Sequence, residues 1–287
     1  IIAEPEKKDT ALAMLVGALY AKSKDPEAVI MNGASDHVIT DEKEFLRVIN
    51  TALEIAEQKQ NLVTVGITPT RPDTAFGYIK ISEALPKVNG VSVFKVDSFT
   101  EKPNEGTARA FLSTGKYFWN ANMYVWSVSA LEAAFQQYMP EMYENARSLS
   151  TMTPDIFHAA LPKIYAESKA ISIDYAISEK ANNLVLIPGD FGWNDVGDWK
   201  VVYDLNTSKK DNAGNVCIGE NISVTPVILD GQNNLIHSNG RLIAMSGVSD
   251  MIIVDTGEII LIIPKEKSQD VKKIVEKLKA DNNKSYL

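Results

Sequence analysis

Two loop aspartates carry the first chemical signal. Asp36 follows the apolar run Ala28–Met31 through Asn32-Gly33-Ala34-Ser35. Asp195 follows Leu184–Ile187 through a turn rich in Gly, Asp and Trp, which reads Gly192-Trp193-Asn194-Asp195-Val196-Gly197-Asp198-Trp199. Neither has a lysine or arginine beside it. Carboxylates on separate strand-end loops suit a hard divalent cation such as Mg²⁺, with phosphate oxygens completing its shell. The plainer role for each is to cap the helix or turn that follows.

Glu101-Lys102-Pro103 comes next. Lysine offers a mobile point charge to a phosphate, glutamate accepts hydrogen bonds from hydroxyls, and proline stiffens the turn. An exposed, ion-paired strand end is the plainer reading of three such residues. Asn120 stands in the aromatic run Phe118–Trp126, where a buried polar group needs a partner. In Thr68–Ile81, Gly77 lets the backbone approach a ligand closely and Tyr78 offers a ring face or a hydroxyl. A Pro/Gly turn with a core tyrosine would look the same. Asp174 lies five and six residues before Glu179-Lys180 on a helix-like segment. His37, His158 and His237 form no spaced ligand set, and no Ser/His/Asp or Cys/His nucleophile arrangement stands out.

These residues need elements to hold them. Leu12, Leu15, Val16 and Leu19 recur at helical spacing in Thr10–Tyr20, which Asp9 or Thr10 would cap. The pattern then predicts a strand at Ala28–Met31, a loop to Ile39, an amphipathic helix over Asp41–Lys59 and a strand at Asn61–Ile67. A strand near Tyr78, another at Val91–Phe99, a helix at Glu105–Ser113, the Phe118–Trp126 strand and several helices across Ser129–Leu161 follow. This is the order of an α/β fold with a doubly wound sheet. The character changes near Ser208. Short β-like runs at Asn215–Ile218, Ile222–Leu229, Asn234–His237, Leu242–Ser246, Met251–Val254 and Ile259–Ile263 suggest a small β unit or partial β-helix without a fixed repeat. A closing helix, Ser268–Ala280, carries Val271, Ile274, Val275 and Leu278 on one stripe that should pack back. The expected division is 1–208 and 209–287.

Composition narrows the partners. A net charge of -8 without any basic stripe argues against nucleic acid. The single cysteine, Cys217, allows no intrachain disulfide and fits a cytoplasmic setting. No apolar run approaches the roughly 20 residues of a membrane span. The opening Ile1-Ile2-Ala3-Glu4-Pro5 reads as the end of a buried strand, so the beginning of the chain is expected to be missing.

Taken in order, these motifs resemble the sugar-nucleotide pyrophosphorylases, above all the mannose-1-phosphate guanylyltransferase (GDP-mannose pyrophosphorylase) group. The resemblance rests on Glu4-Pro5 with Thr10-Ala11, the Asp36-His37 loop, Thr70–Ile79, Thr100–Pro103, Trp119-Asn120 with Met123, Ile173–Ala176 with Glu179-Lys180, and Gly192–Trp199. It implies a Rossmann-like mixed sheet of the nucleotide-diphospho-sugar transferase kind. It also implies transfer of GMP from GTP to mannose 1-phosphate with Mg²⁺. By the same resemblance Asp36 and Asp195 hold the metal and, with Lys102, are catalytic. Glu101, Asn120, Gly77, Tyr78, Asp174 and Asn194 face the sugar, while Glu4, Lys8 and Thr10 lie on the nucleotide side. A homodimer is implied by analogy.

The chain departs from the pattern at Lys8, Asp9, Asp73, Ala75-Phe76, Ala121 and Asn122. Asn122 replaces a glycine and adds a side chain where close packing is expected. These changes leave another hexose 1-phosphate or nucleotide open. A non-catalytic subunit that binds sugar phosphate or nucleotide is the alternative class. The Gly-rich phosphate loop that the resemblance implies has no counterpart, Gly17 being the only glycine in the first 30 residues. Residues 1–287 alone are therefore expected to have little activity.

Overall fold

The computed structural model describes residues 1–58, 61–219 and 225–286. They form two compact units, Ile1–Trp193 and Asn194–Leu287.

The first unit begins with α1 (Asp9–Lys22), β1 (Val29–Asn32), β2 (His37–Ile39), α2 (Glu42–Glu57) and β3 (Leu62–Ile67). It continues with β4 (Tyr78–Val88), β5 (Val91–Thr100), α3 (Glu105–Thr114) and β6 (Tyr117–Ser127). Three helices, α4 (Val128–Tyr138), α5 (Pro140–Ala146) and α6 (Pro154–Glu167), then lead to β7 (Leu184–Gly189). Six strands make one mixed sheet in the order β1-β6-β3-β7-β5-β4, with β3 and β7 parallel. All six residues of β3 are buried, as expected of a strand covered on both faces.

Alternation along the strands feeds two cores. Tyr124 and Trp126 of β6 pack with α1, α4, α5 and α6, while Met123 and Val125 pack with α2 on the other face. The α2 helix is set by its cap, since Asp41 accepts from the Glu44 N–H at 3.0 Å. Its expected end at Lys59 lies outside the described residues.

Two local expectations fail for identifiable reasons. Neither Asp9 nor Thr10 caps α1. Asp9 sits at φ 58, and Thr10 Oγ1 instead accepts from the Ile173 N–H at 2.9 Å. The loop expected up to Ile39 contains β2, whose three residues are all half-buried.

The second unit contains Asn194 and Asp195, which end the short strand β8 (Trp193–Asp195), and α7 (Trp199–Leu205). It then winds through β9 (Val216–Ile218), β10 (Val227–Leu229), β11 (Leu235–His237), β12 (Ala244–Ser246), β13 (Met251–Asp255) and β14 (Ile260–Pro264). Strands β9, β11 and β13 stack in parallel, as do β10 and β12, which is a partial β-helix. Residues 222–224 of the expected strand Ile222–Leu229 lie outside the described residues; its remainder contains β10.

The coils recur without a fixed period, as expected. Val216, Leu235 and Ile252 are stacked in register, in steps of 19 and 17 residues. Each follows a left-handed corner by two positions: Gly214 (φ 78), Asn233 (φ 56) and Asp250 (φ 58). Inside the coil, Asn234 is fully buried and bonds in both directions. It donates to Asn215 Oδ1 at 3.0 Å and to the Val248 carbonyl at 2.8 Å, and its Oδ1 accepts from the Met251 N–H at 2.9 Å. The chain closes with α8 (Val271–Ala280) after a 3₁₀ stretch over Lys265–Asp270. Its stripe packs less deeply than expected. Val271 packs against a small core of this unit around Val216, Leu235 and Ile252, Val275 and Leu278 are half-buried, and Ile274 is exposed.

Replacing Asn234 with leucine keeps the volume but strands the Val248 carbonyl and the Met251 N–H. The cost is about 2–4 kcal/mol. Thermal melting followed by circular dichroism should fall by roughly 5–10 °C; a fall below about 1 °C would show that the asparagine stack is not what joins the coils.

Candidate active site

The end of the sheet where β4 begins is held open by a glycine. Tyr78 pairs with Thr100 of β5 and with Trp119 of β6, so Gly77 sits between the next residues of both strands, Glu101 and Asn120. Its carbonyl accepts from the Asn120 N–H at 2.8 Å. A Cβ built on Gly77 would stand 2.4 Å from Glu101 Oε2.

Around this point lies a cavity of about 660 Å³. Thr10, Gly77, Glu101, Lys102, Asn120 and Asp174 line it, all of them candidates from sequence. Asp9, Asn122 and Tyr175 share its wall. The elements explain the convergence. Glu101 and Lys102 leave the end of β5, Asn120 lies in β6, and Asp174 opens a π-helical turn, Asp174–Ser178. Such turns recur at functional sites.

The cavity is acidic, with one lysine. Lys102 Nζ bonds Glu101 Oε1 at 2.9 Å, and Glu101, then Tyr175 and Asp174, hold the ammonium above its ordinary range. The side chain is 65% exposed, so this charge is free to turn toward a ligand. Nearby Glu179 has its carboxyl raised, first by burial and then by the charges of Asp174 and Glu101. Asn120 donates to Asp174 Oδ1 at 2.7 Å. Hydroxyl-accepting carboxylates around one mobile cation make a surface for a small, hydroxyl-rich anion.

The other candidates of the first unit are not among the residues that line this cavity. Tyr78 is fully buried, and its hydroxyl donates to the Asp73 carbonyl at 2.8 Å, so it braces the loop from within the core. Glu4 accepts from the Tyr165 hydroxyl at 2.9 Å, and Lys8 pairs with Glu6 at 3.4 Å. Asp36 is exposed in the turn before β2. In the second unit Asp195 is half-buried, and a Cβ on Gly197 would stand 3.0 Å from its Oδ2. Asn194 Oδ1 is buried without a partner among the described residues. No group of three or more His, Cys, Asp or Glu among the described residues is placed to hold a metal.

Asn122, marked in the sequence as a departure that alters the pocket, lies in its wall, whereas Tyr124, which donates to Asp174 Oδ1, was not singled out. Asn122 adopts φ 50, a left-handed conformation that asparagine tolerates better than most residues. Its occurrence where the resembling pattern has glycine was the signal that marked it. Tyr124 gave no such signal, because a tyrosine in an apolar strand reads as core.

A family-wide sequence pattern described as Nucleotidyl transferase matches residues 1–212. The chain belongs to the nucleotidyl transferase family. A second pattern, described as MannoseP isomerase/GMP-like beta-helix domain, matches residues 225–278. Among similar proteins, the mannose-1-phosphate guanylyltransferase of Escherichia coli (strain K12) is 33% identical over 290 residues, covering 100% of this chain and 59% of that protein. The protein of the same name from Salmonella montevideo is 36% identical over 292 residues, with the same coverage of both. The chain thus spans about three fifths of these relatives. A crystal structure named mannose-1-phosphate geranyltransferase, from Thermus thermophilus, matches with a TM-score of 0.82 and 28% identity, over 97% of this chain and 77% of that one. This nucleotidyl transferase chain therefore has the expected α/β mixed sheet with a smaller β unit. No helix among its described residues is long and apolar enough to cross a membrane.

The Gly77→Ala variant should displace the flexible Glu101 carboxylate while leaving the fold intact. Calorimetry with a hexose 1-phosphate should show roughly tenfold weaker binding and a melting temperature little changed. Unaltered binding would mean that Glu101 does not meet the ligand.

Proposed function

We propose that the protein transfers GMP from GTP to mannose 1-phosphate, giving GDP-mannose and pyrophosphate. The convergence of Glu101, Lys102, Asn120 and Asp174 on one cavity carries this reading. Lys102 meets the sugar phosphate, and Glu101, Asn120 and Asp174 take the hexose hydroxyls. The nucleotide lies toward the start of α1, against Thr10, with Glu4 and Lys8 flanking it. A phosphate oxygen of the sugar attacks the α-phosphorus of GTP in line. The new P–O bond forms as the bond to pyrophosphate breaks, and no covalent enzyme intermediate is needed. The residues bind, orient and offset charge, which is what this class of reaction demands.

Asp36 and Asp195 would hold Mg²⁺. Their donor chemistry fits, since Mg²⁺ is held by one or two carboxylates plus water and substrate phosphates and needs no cage of protein ligands. When bound, the ion offsets phosphate charge. Gly197 supports the assignment because it lets the turn fold close against the Asp195 carboxylate. GTP as a substrate argues for a cytoplasmic setting, and the β unit for a homodimer. A different hexose 1-phosphate is a second reading, favoured by the side chain of Asn122 in the cavity wall.

The test is pyrophosphate release by the full-length protein from GTP, ATP and UTP with a panel of hexose 1-phosphates. GTP with mannose 1-phosphate should be fastest, and Asp195→Asn should slow it by about 100-fold or more. Equal rates for Asp195→Asn and wild type would remove the metal assignment. Binding without turnover of any pair would favour a sensing or supporting subunit.

A further inference from the structure

The strand β6 carries a bulge. Its register with β3 runs Met123↔Val65 and then Asn120↔Gly66, so Ala121 and Asn122 have no partners in β3. Asn122 at φ 50 makes the bend. Asn32 Nδ2 ties down the Asn122 carbonyl at 2.9 Å, and the Asn122 N–H donates to Asn120 Oδ1 at 3.0 Å. The Asn120 amide is thereby oriented, with Nδ2 toward Asp174.

Four residues of regular strand would separate Asn120 and Tyr124 by about 13 Å. Yet both reach one atom. Asn120 Nδ2 and the Tyr124 hydroxyl both donate to Asp174 Oδ1. The bulge folds the strand so that two donors converge on a single carboxylate oxygen. Tyr124 is fully buried in the core and does not line the cavity, whereas Asp174 does. Burial, followed by the charge of Asp174, raises the tyrosine hydroxyl well above its ordinary range, so at neutral pH it remains a donor.

The geometry points to Tyr124 as a positioning residue, which occupies Asp174 Oδ1 from the core side and thereby presents Oδ2 to a hydroxyl of the bound hexose. This rests on the reading of the cavity as a hexose 1-phosphate site. A phenylalanine would fill the same core volume, but it would leave Asn120 as the lone side-chain donor to Asp174 and the carboxylate free to rotate.

The experiment is calorimetry of mannose 1-phosphate and its four monodeoxy analogues (2-, 3-, 4- and 6-deoxy) with wild type and Tyr124→Phe. Circular dichroism checks that the variant folds. Should it melt early, Tyr124→Met removes the same hydroxyl with a side chain that fills irregular gaps. The variant should bind mannose 1-phosphate about tenfold more weakly. The loss should vanish for the one analogue that lacks the hydroxyl held by Asp174, and persist for the other three. A merely structural role would weaken all five ligands alike. That result, or undiminished binding by the variant, overturns the proposal. Wild-type protein that binds none of the five overturns the cavity reading and this proposal with it, an outcome distinct from either of those.

Discussion

Asp174 places a carboxylate at the end of an apolar sheet, and it is tolerable there because its Oδ1 accepts from Asn120 and Tyr124. Both donors come from β6, a strand otherwise packed into the two main cores. The strand can serve one carboxylate twice only because it is bulged at Ala121-Asn122. The bulge depends in turn on a residue that accepts left-handed backbone. A chain of cause therefore runs from the Asn122 conformation, through the strand, to the cavity wall.

The opposite wall has a different physical basis. Register between β4 and β5 sets Gly77 beside Glu101, and the missing side chain at Gly77 is the space the carboxylate occupies. Glu101 then holds Lys102, whose ammonium is the mobile group of the site. One wall is fixed by hydrogen bonds into the core, and the other is exposed and able to turn toward a ligand. That division suits a ligand with a hydroxyl-bearing ring at one end and a phosphate at the other.

Much of this was legible in the sequence. The short apolar run Asn61–Ile67 and the helical spacing of Val48, Ala52 and Ile55 mark elements that burial then enforces. Glu101, Lys102 and Asn120 stood out as polar residues at a strand end or within an apolar run, and Asp174, on a helix-like segment, through the resemblance. The β-helix has no fixed period in the sequence for two reasons. Its coils differ in length, and its left-handed corner is glycine in one coil, asparagine in the next and aspartate in the third. Pattern matching seeks one residue type at one period, whereas the backbone requires only a residue that tolerates positive φ. Tyr78 and Tyr124 were illegible for another reason. Whether a tyrosine on a strand points its hydroxyl into a site, a loop carbonyl or a buried carboxylate depends on packing that no local pattern encodes.

If the cavity bounded by Glu101, Lys102, Asn120 and Asp174 receives a hexose 1-phosphate, a crystal structure with mannose 1-phosphate at saturating concentration will show the phosphate against Lys102 Nζ and a ring hydroxyl on Asp174 Oδ2. Ligand bound elsewhere, or an empty cavity under those conditions, would contradict that assignment.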